Sequence, residues 1–315
     1  MITRPDYHEI EAIGDYLSRV PYDVTRTTLY SAADLYDKFN PSQPQSIKQC
    51  YDTITYRHYL AQGKHTRCAT EKLARTLHDH CIGMALTEFV SNFNVKRIIG
   101  VMGGHSALRT HDTYAQVAHL SKRLTEEGFL MVSGGGPGAM EATHLGAWMA
   151  GRSSSELADA IGMLATAPSF THPHWLSTAF EVMQRFPQTT YKSLGVPTWL
   201  YGHEPATPFA THIAKLFENS IREDGILTMA FGGIVFSPGS AGTVQEIFQD
   251  AVQNHYLTFG IASPMAFLGT KFWTEEMPIY PMLKQLADNG KYHNMLLSIS
   301  DDPDEIVATL LRFQQ

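Results

Sequence analysis

Cysteine is scarce in this chain. The three present, Cys50, Cys68 and Cys81, form no CxxC pair and cannot all be bridged, so a disulfide-built scaffold is excluded and a reducing, cytoplasmic setting is the expectation. Positive charge is also short. Twenty-four Lys and Arg face 31 Asp and Glu, a formal net charge of −7, and no basic run stands out; neither a nucleic-acid polymer nor an anionic membrane is an expected partner. No apolar run approaches the ~20 residues that span a bilayer, and the opening MITRPDYHEI lacks the apolar stretch of a signal peptide. The P-loop pattern GxxxxGK[ST] is missing, which argues against that route of phosphoryl transfer. GxSxG and HExxH are missing too, and the histidine pairs His78/His80 and His172/His174 lack metal-site spacing, so neither a serine hydrolase nor a bound metal is expected.

What is present is a soluble globular composition, 43% apolar and 17% charged. The texture changes near residue 91. Before it, helical spacing (Ile10, Ile13, Leu17; then Leu73, Leu77, Cys81, Ala85, Phe89) is interrupted by turn-rich KFNPSQPQ, and residues 1–90 read as a mainly helical extension. From 91 to 315, short apolar runs alternate with amphipathic stretches. Strands are expected at 96–103, 129–134, 161–166, 198–202, 233–238, 264–269 and 295–300. Helices are expected at 112–127, 137–150, 173–186, 208–225, 242–256, 279–288 and 303–313. Near-continuous apolar strands imply burial on both faces, hence an α/β, doubly wound, Rossmann-like parallel sheet flanked by helices. Thr113 with Gln116 has the form of a capping box, and Asp302-Pro303 with Glu305 orders a cap, a first-position proline and an acid.

Three strand ends carry unusual loops: GVMGGHS (100–106), VSGGGPGAME (132–141) and SPGSAGTVQE (237–246). Bare glycine turns let a ligand lie on the backbone, and a helix start presents unpaired N–H groups to an anion without any net positive charge. The alternative is that each is only a tight turn. Gly134, Gly136 and Ala139 also fit the loose dinucleotide pattern, but the acid that should end the next strand is missing: Asp159 precedes it and Thr166 ends it. A nicotinamide oxidoreductase is therefore the weakest reading, and no cofactor is expected.

GGGPGAME followed about a hundred residues later by PGSAGTVQE resembles the paired signature of the LOG (LONELY GUY) family, many of whose members were once labelled "possible lysine decarboxylase". In the family's second motif, PGGxGTxxE, Pro238, Gly239, Gly242, Thr243 and Glu246 match, and Ser240 replaces the second glycine. Together with GGHS, the motifs are similar to those of the long bacterial nucleotide 5′-monophosphate nucleosidases. The resemblance spans roughly residues 95–300. It implies hydrolysis of the N-glycosidic bond of a nucleoside 5′-monophosphate, AMP-like, to free base and ribose 5-phosphate. It makes Glu246 and an arginine on the preceding helix the catalytic pair, and that arginine falls on Arg222; the family's neighbouring His and Lys are replaced by Ser220 and Glu223. Gly103, Gly104, His105, Ser106, Gly135, Gly136, Gly138, Glu141, Pro238, Gly239, Ser240, Ala241, Gly242 and Thr243 become substrate or phosphate contacts.

The chemistry reads the same way from the residues. Breaking a ribosyl–base bond builds positive charge on the sugar, which a fixed carboxylate stabilises; Glu246 supplies it, and Asp250, four residues on, shares its face. Alternatives stay open at this point. Glu246 could be no more than the acid of a Thr243-Val-Gln-Glu246 capping box, Arg222 could pair with Glu218 on a solvated face, and the chain could bind or sense nucleotides without hydrolysing them. Spare apolar residues on the 242–256 helix and in HYLTFGI (255–261) point to a homodimer or larger assembly.

Overall fold

The structure, a computed structural model, describes residues 13–313; Ile10 of the expected first helix lies outside them. Seven strands form one sheet: β1 Ile98–Met102, β2 Leu130–Ser133, β3 Ser193–Gly195, β4 His212–Ile213, β5 Gly233–Phe236, β6 Pro264–Leu268 and β7 Leu296–Ser300. All pair in parallel, in the order β4-β3-β2-β1-β5-β6-β7. Chain direction across the sheet reverses between β1 and β5, where Met102 lies beside Phe236. In a doubly wound sheet that reversal opens a crevice at the strands' carboxyl ends. Two of the three glycine-rich loops leave from those two strands.

Helices flank the sheet: α1 Ala32–Leu35, α2 Tyr51–Gln62, α3 Ala69–Val90, α4 Asp112–Glu126, α5 Ala139–Trp148, α6 Ser154–Leu164, α7 Trp175–Arg185, α8 Asn219–Leu227, α9 Ala241–Tyr256, α10 Ile279–Asp288 and α11 Pro303–Phe313. Successive strand residues point to opposite faces, and the two cores follow from this. Ile99, Val101, Met131 and Val235 pack with α4, α5, α6 and α11. Met102, Val132, Ile234 and Phe236 pack on the other face with α8, α9 and residues of the N-terminal part. None of these helices is long and apolar enough to cross a membrane.

The N-terminal part shares that second core: Tyr22, Tyr30, Leu35, Tyr59 and Ile82 cluster with Leu194, Trp199 and Phe217. Tyr30 and Ile213 exchange backbone hydrogen bonds of 2.8 Å in an antiparallel bridge that covers the β4 edge. The buried Lys215 ammonium meets Asp52 at 2.5 Å, and the same carboxylate oxygen accepts the Trp199 indole N–H at 2.9 Å. Removing one partner of such a buried pair typically costs about 3–5 kcal/mol.

Several expected elements are corrected. Residues 161–166 are not a strand; they end α6, which starts with a capping box in which Ser153 and Glu156 bond each other's backbone N–H at 3.2 and 2.8 Å. Residues 198–202 form a 3₁₀ turn, Trp199–Tyr201, and the strand lies earlier as β3. The expected helix at 208–225 divides into β4 and α8. On α3 the apolar stripe is rotated. Leu73 is exposed, and the buried face carries Glu71, Arg75, His78 and Asp79. Burial of these charges is permitted because each is partnered: Glu71 with Arg75 at 2.7 Å, His78 with Tyr30 at 2.9 Å, and Asp79 with the Phe217 and Glu218 N–H groups at 2.9 and 2.8 Å. Thr113 caps nothing, since α4 starts at Asp112 behind His111, and Gln116 reaches the Asp301 carbonyl instead. Asp302 does cap α11, accepting the Asp304 N–H at 2.9 Å, while Glu305 accepts from the Ser300 hydroxyl.

Candidate functional site

The three glycine-rich loops meet at the crevice and hold one another. Gly104 donates its N–H to the Pro238 carbonyl at 3.1 Å, and its own carbonyl accepts the Ala139 N–H at 3.1 Å. Gly138 sits at φ +69°, where a side chain is strained, and a Cβ there would strike the Gly104 carbonyl and come within 2.7 Å of His105. The bareness of these turns is thus largely a loop-to-loop packing requirement. Behind them, fully buried His144 bridges Ser133 and Ser193 at 2.8 and 2.9 Å, and Ser133 Oγ accepts the Gly135 N–H at 3.2 Å. Burial pulls the His144 pKa down to about 3, so this clamp is neutral.

One helix start remains open. Ser240 is the N-cap of α9 and its side chain makes no capping bond. The first intrahelical bond runs from the Val244 N–H to the Ser240 carbonyl at 3.1 Å, which leaves the N–H groups of Ala241, Gly242 and Thr243 without intrahelical partners. Ser240, Ala241 and Gly242 are exposed. Ser240, Gly242 and Thr243 line a cleft of about 210 Å³ together with Glu246, Arg222, Glu223 and His105. The positive end of the helix makes the cleft a site for an anion.

Glu246 lies on the second turn of α9, not its first. It is only 7% exposed, and among the described residues no hydrogen bond ties it to Thr243, so the capping-box alternative falls. Burial raises its pKa from 4.5 to about 7; the Arg222 guanidinium opposes the shift and Glu223 adds to it. Arg222 is half-buried on α8, and among the described residues it has no carboxylate within 4.0 Å, Glu218 included; its guanidinium lies over Gly134 and against the Met140 sulfur at 3.9 Å. Its neighbour Ile221 is 44% exposed. Glu223 is engaged elsewhere, accepting from Asn219 at 2.6 Å and Gln245 at 3.1 Å.

Of the residues expected to touch a ligand, Gly103, Gly104, His105, Ser240, Gly242, Thr243 and Glu246 line this cleft with Arg222. Gly136 lines a narrow recess beside it, bounded by Gly134, Pro197 and Tyr201. Pro238 and Gly239 form the loop backbone. Others are placed differently. Gly135 is buried, its carbonyl bonded to the Thr207 N–H at 2.8 Å. Glu141 is fully buried and turned away from the cleft, where the Arg109 guanidinium grips it with Nε–Oε2 at 2.9 Å and Nη2–Oε1 at 2.5 Å, and the Tyr114 hydroxyl adds a bond of 3.0 Å. Ser106 and Gly138 border a second cavity beside that ion pair. Asp250 is fully buried on the core side, with both carboxylate oxygens lacking a hydrogen-bond partner among the described residues. Burial raises its pKa to about 8; the Ser263 hydroxyl lies near enough to oppose this but bonds Asn254 at 3.5 Å.

Four further residues complete the cleft: Met140, Tyr201, Glu204 and Glu223. Met140 and Glu223 each adjoin a residue of interest in sequence. Tyr201 and Glu204 were hidden because 198–202 has the apolar look of a strand. Among the described residues no cluster of three or more His, Cys, Asp or Glu is placed to hold a metal ion. His78 is buried in the core and His80 is exposed.

No protein-family model and no curated protein matches this chain. Among solved structures, it is similar to the molybdenum cofactor binding protein of the phototrophic bacterium Rippkaea orientalis, at 14% identity over 69% of this chain and 97% of that one, with a TM-score of 0.43. It is also similar to the molybdenum cofactor carrier protein of Chlamydomonas reinhardtii, at 16% identity over 69% and 97%, with a TM-score of 0.42. At such identities nothing about ligand or activity transfers to this chain, whose function has to be read from its own cleft.

Proposed function

We propose that the protein hydrolyses nucleoside 5′-monophosphates to the free base and ribose 5-phosphate. The observation that carries this is a desolvated glutamate, Glu246, sharing one cleft with Arg222 and the open N-terminus of its own helix. The N–H groups of Ala241, Gly242 and Thr243 take the phosphate. The sugar then lies along the first turns of α9, next to Glu246. As the C1′–N bond lengthens, the carboxylate stabilises the positive charge on the ribose and accepts the proton of the attacking water. A carboxyl whose pKa sits near 7 is matched to that task at neutral pH. Arg222 holds Glu246 toward its charged form and offers its donors to the ligand.

Incubation with AMP, GMP, CMP, UMP and IMP, with free base and ribose 5-phosphate read out, tests the reading; the corresponding nucleosides, which lack the phosphate, are expected to be poor substrates. A second reading, nucleotide binding without hydrolysis, is favoured by one feature: Glu223 lies where it pushes Glu246 toward its neutral form. Saturable binding of a monophosphate with no base released supports that reading instead.

A further inference from the structure

Release of a base from C1′ places an electron pair on a ring nitrogen, and a purine or pyrimidine anion is a poor leaving group unless a proton arrives as the bond breaks. The groups assigned so far cannot deliver it. Arg222 does not give up a proton in water, and Glu246 is needed as the carboxylate. Glu223 is held by Asn219 and Gln245. Three titratable groups of the cleft remain, His105, Glu204 and Tyr201, and a phenol is a far weaker acid than an imidazolium.

Their arrangement is specific. His105 leaves the end of β1 on the first glycine loop, with its ring about half exposed and Nδ1 at 3.8 Å from Glu204 Oε1. Glu204 is only 15% exposed, receives His203 Nε2 at 3.7 Å on the same oxygen, and is tied by its N–H to the Tyr201 carbonyl at 2.8 Å. Its other oxygen lies 3.8 Å from where a Cβ on Gly136 would stand, so the second glycine loop leaves it room. Phe170 meets the imidazole edge-on, with ring centres 6.1 Å apart. With Nδ1 turned to a carboxylate, Nε2 is left to face a ligand.

We propose that His105 is the acid that protonates the departing base and that Glu204 is the positioning residue that orients its ring. The inference rests on the nucleosidase reading. In the step, the C1′–N bond breaks and its electrons pass to the base nitrogen, which takes the proton from His105 Nε2. A water oxygen bonds to C1′ and gives its proton to Glu246. Proton exchange of both groups with solvent restores the site, so the sum is monophosphate plus water giving base plus ribose 5-phosphate. The other charges facing His105 are His203 beside Glu204, Arg222 and Glu223 from α8, Glu246 from α9, and the Arg109–Glu141 pair in the adjoining cavity, which is closed on itself.

The test uses two substrates, a natural monophosphate and p-nitrophenyl riboside 5′-phosphate, whose nitrophenolate departs without a proton. H105Q is expected to lower kcat on the monophosphate about 10²–10⁴-fold while kcat on the nitrophenyl substrate stays within a few-fold. The wild type is expected to show an alkaline fall in its monophosphate pH–rate profile, and H105Q is expected to lose it. E204Q is expected to lower kcat on the monophosphate while sparing the nitrophenyl substrate, because the imidazole has lost the carboxylate that orients it. Equal losses on both substrates, or an unchanged monophosphate rate, would overturn the acid role and leave the nucleosidase reading standing. A wild type that cleaves neither substrate overturns both.

Discussion

Substituting Glu246 by glutamine separates its chemistry from its structural role. The carboxyl is 7% exposed, and burial moves its pKa from 4.5 to about 7. A folded value above the unfolded one means that the native state binds the proton more tightly. This group's contribution to stability is therefore whole below pH 4.5 and declines as pH rises to about 7. Beyond that the folded protein carries a desolvated charge, at a cost of about 3 kcal/mol. Glutamine has the same shape and no charge. E246Q is expected to match the wild type near pH 4.5 and to exceed it by up to about 3 kcal/mol at pH 8, measured by urea unfolding at the two pH values. Hydrolysis by the same variant is expected to fall by at least about 10²-fold, the scale for losing one group aimed at transition-state charge. A gain in stability with a loss of activity is the mark of a strained functional site. A variant no more stable than wild type at pH 8 would refute the desolvation argument, and one with full activity would refute the catalytic role.

Three further outcomes are expected. R222M should lower kcat/KM by about 10²-fold or more and shift the acidic limb of the pH–rate profile upward, since the guanidinium that draws Glu246 down is gone; an unmoved limb would show that the two groups do not interact. A side chain on Gly242 meets no protein atom within 4 Å, so G242V should keep the fold's melting temperature yet raise KM for monophosphates strongly; an unchanged KM would place the phosphate elsewhere. Val252, Tyr256, Leu257 and Phe259 are 42%, 72%, 42% and 47% exposed at the end of α9 and just beyond, and a homodimer built on that face should scatter light at about twice 35.1 kDa; a single species at the monomer mass would refute it.

Much of the cleft could be read in the chain. Glu246 and the bare turn at 238–242 are local in sequence and are placed by where β5 ends and α9 begins, whereas Arg222 was singled out by the family resemblance. Glu204 and Tyr201 could not be placed, because their proximity to Glu246 depends on β3 and β4. Those strands have three and two residues, too few for a period to show. Glu141 and Asp250 were expected at the ligand because they sit beside or in phase with motif residues. Phase along a helix gives a side, not what that side faces: for Glu141 it is Arg109, thirty-two positions away.

The sequence by itself determined the apolar strands β1, β2, β5, β6 and β7 and most of the amphipathic helices between them, because runs buried in a sheet must be apolar and helices covering them need one apolar stripe. It also determined the two glycine-rich turns on either side of the crevice, because only glycine tolerates backbone packed that closely. Tertiary structure alone decided which charges are buried with partners and which stand in the cleft. Glu71, Glu141 and Glu246 are all acidic residues on helices and all nearly excluded from water. Glu71 is neutralised by Arg75 one turn on along α3 and Glu141 by Arg109, which the fold brings to it, whereas Glu246 has among the described residues only Arg222 beyond salt-bridge distance, and that difference in surroundings gives it a carboxyl that titrates near neutrality.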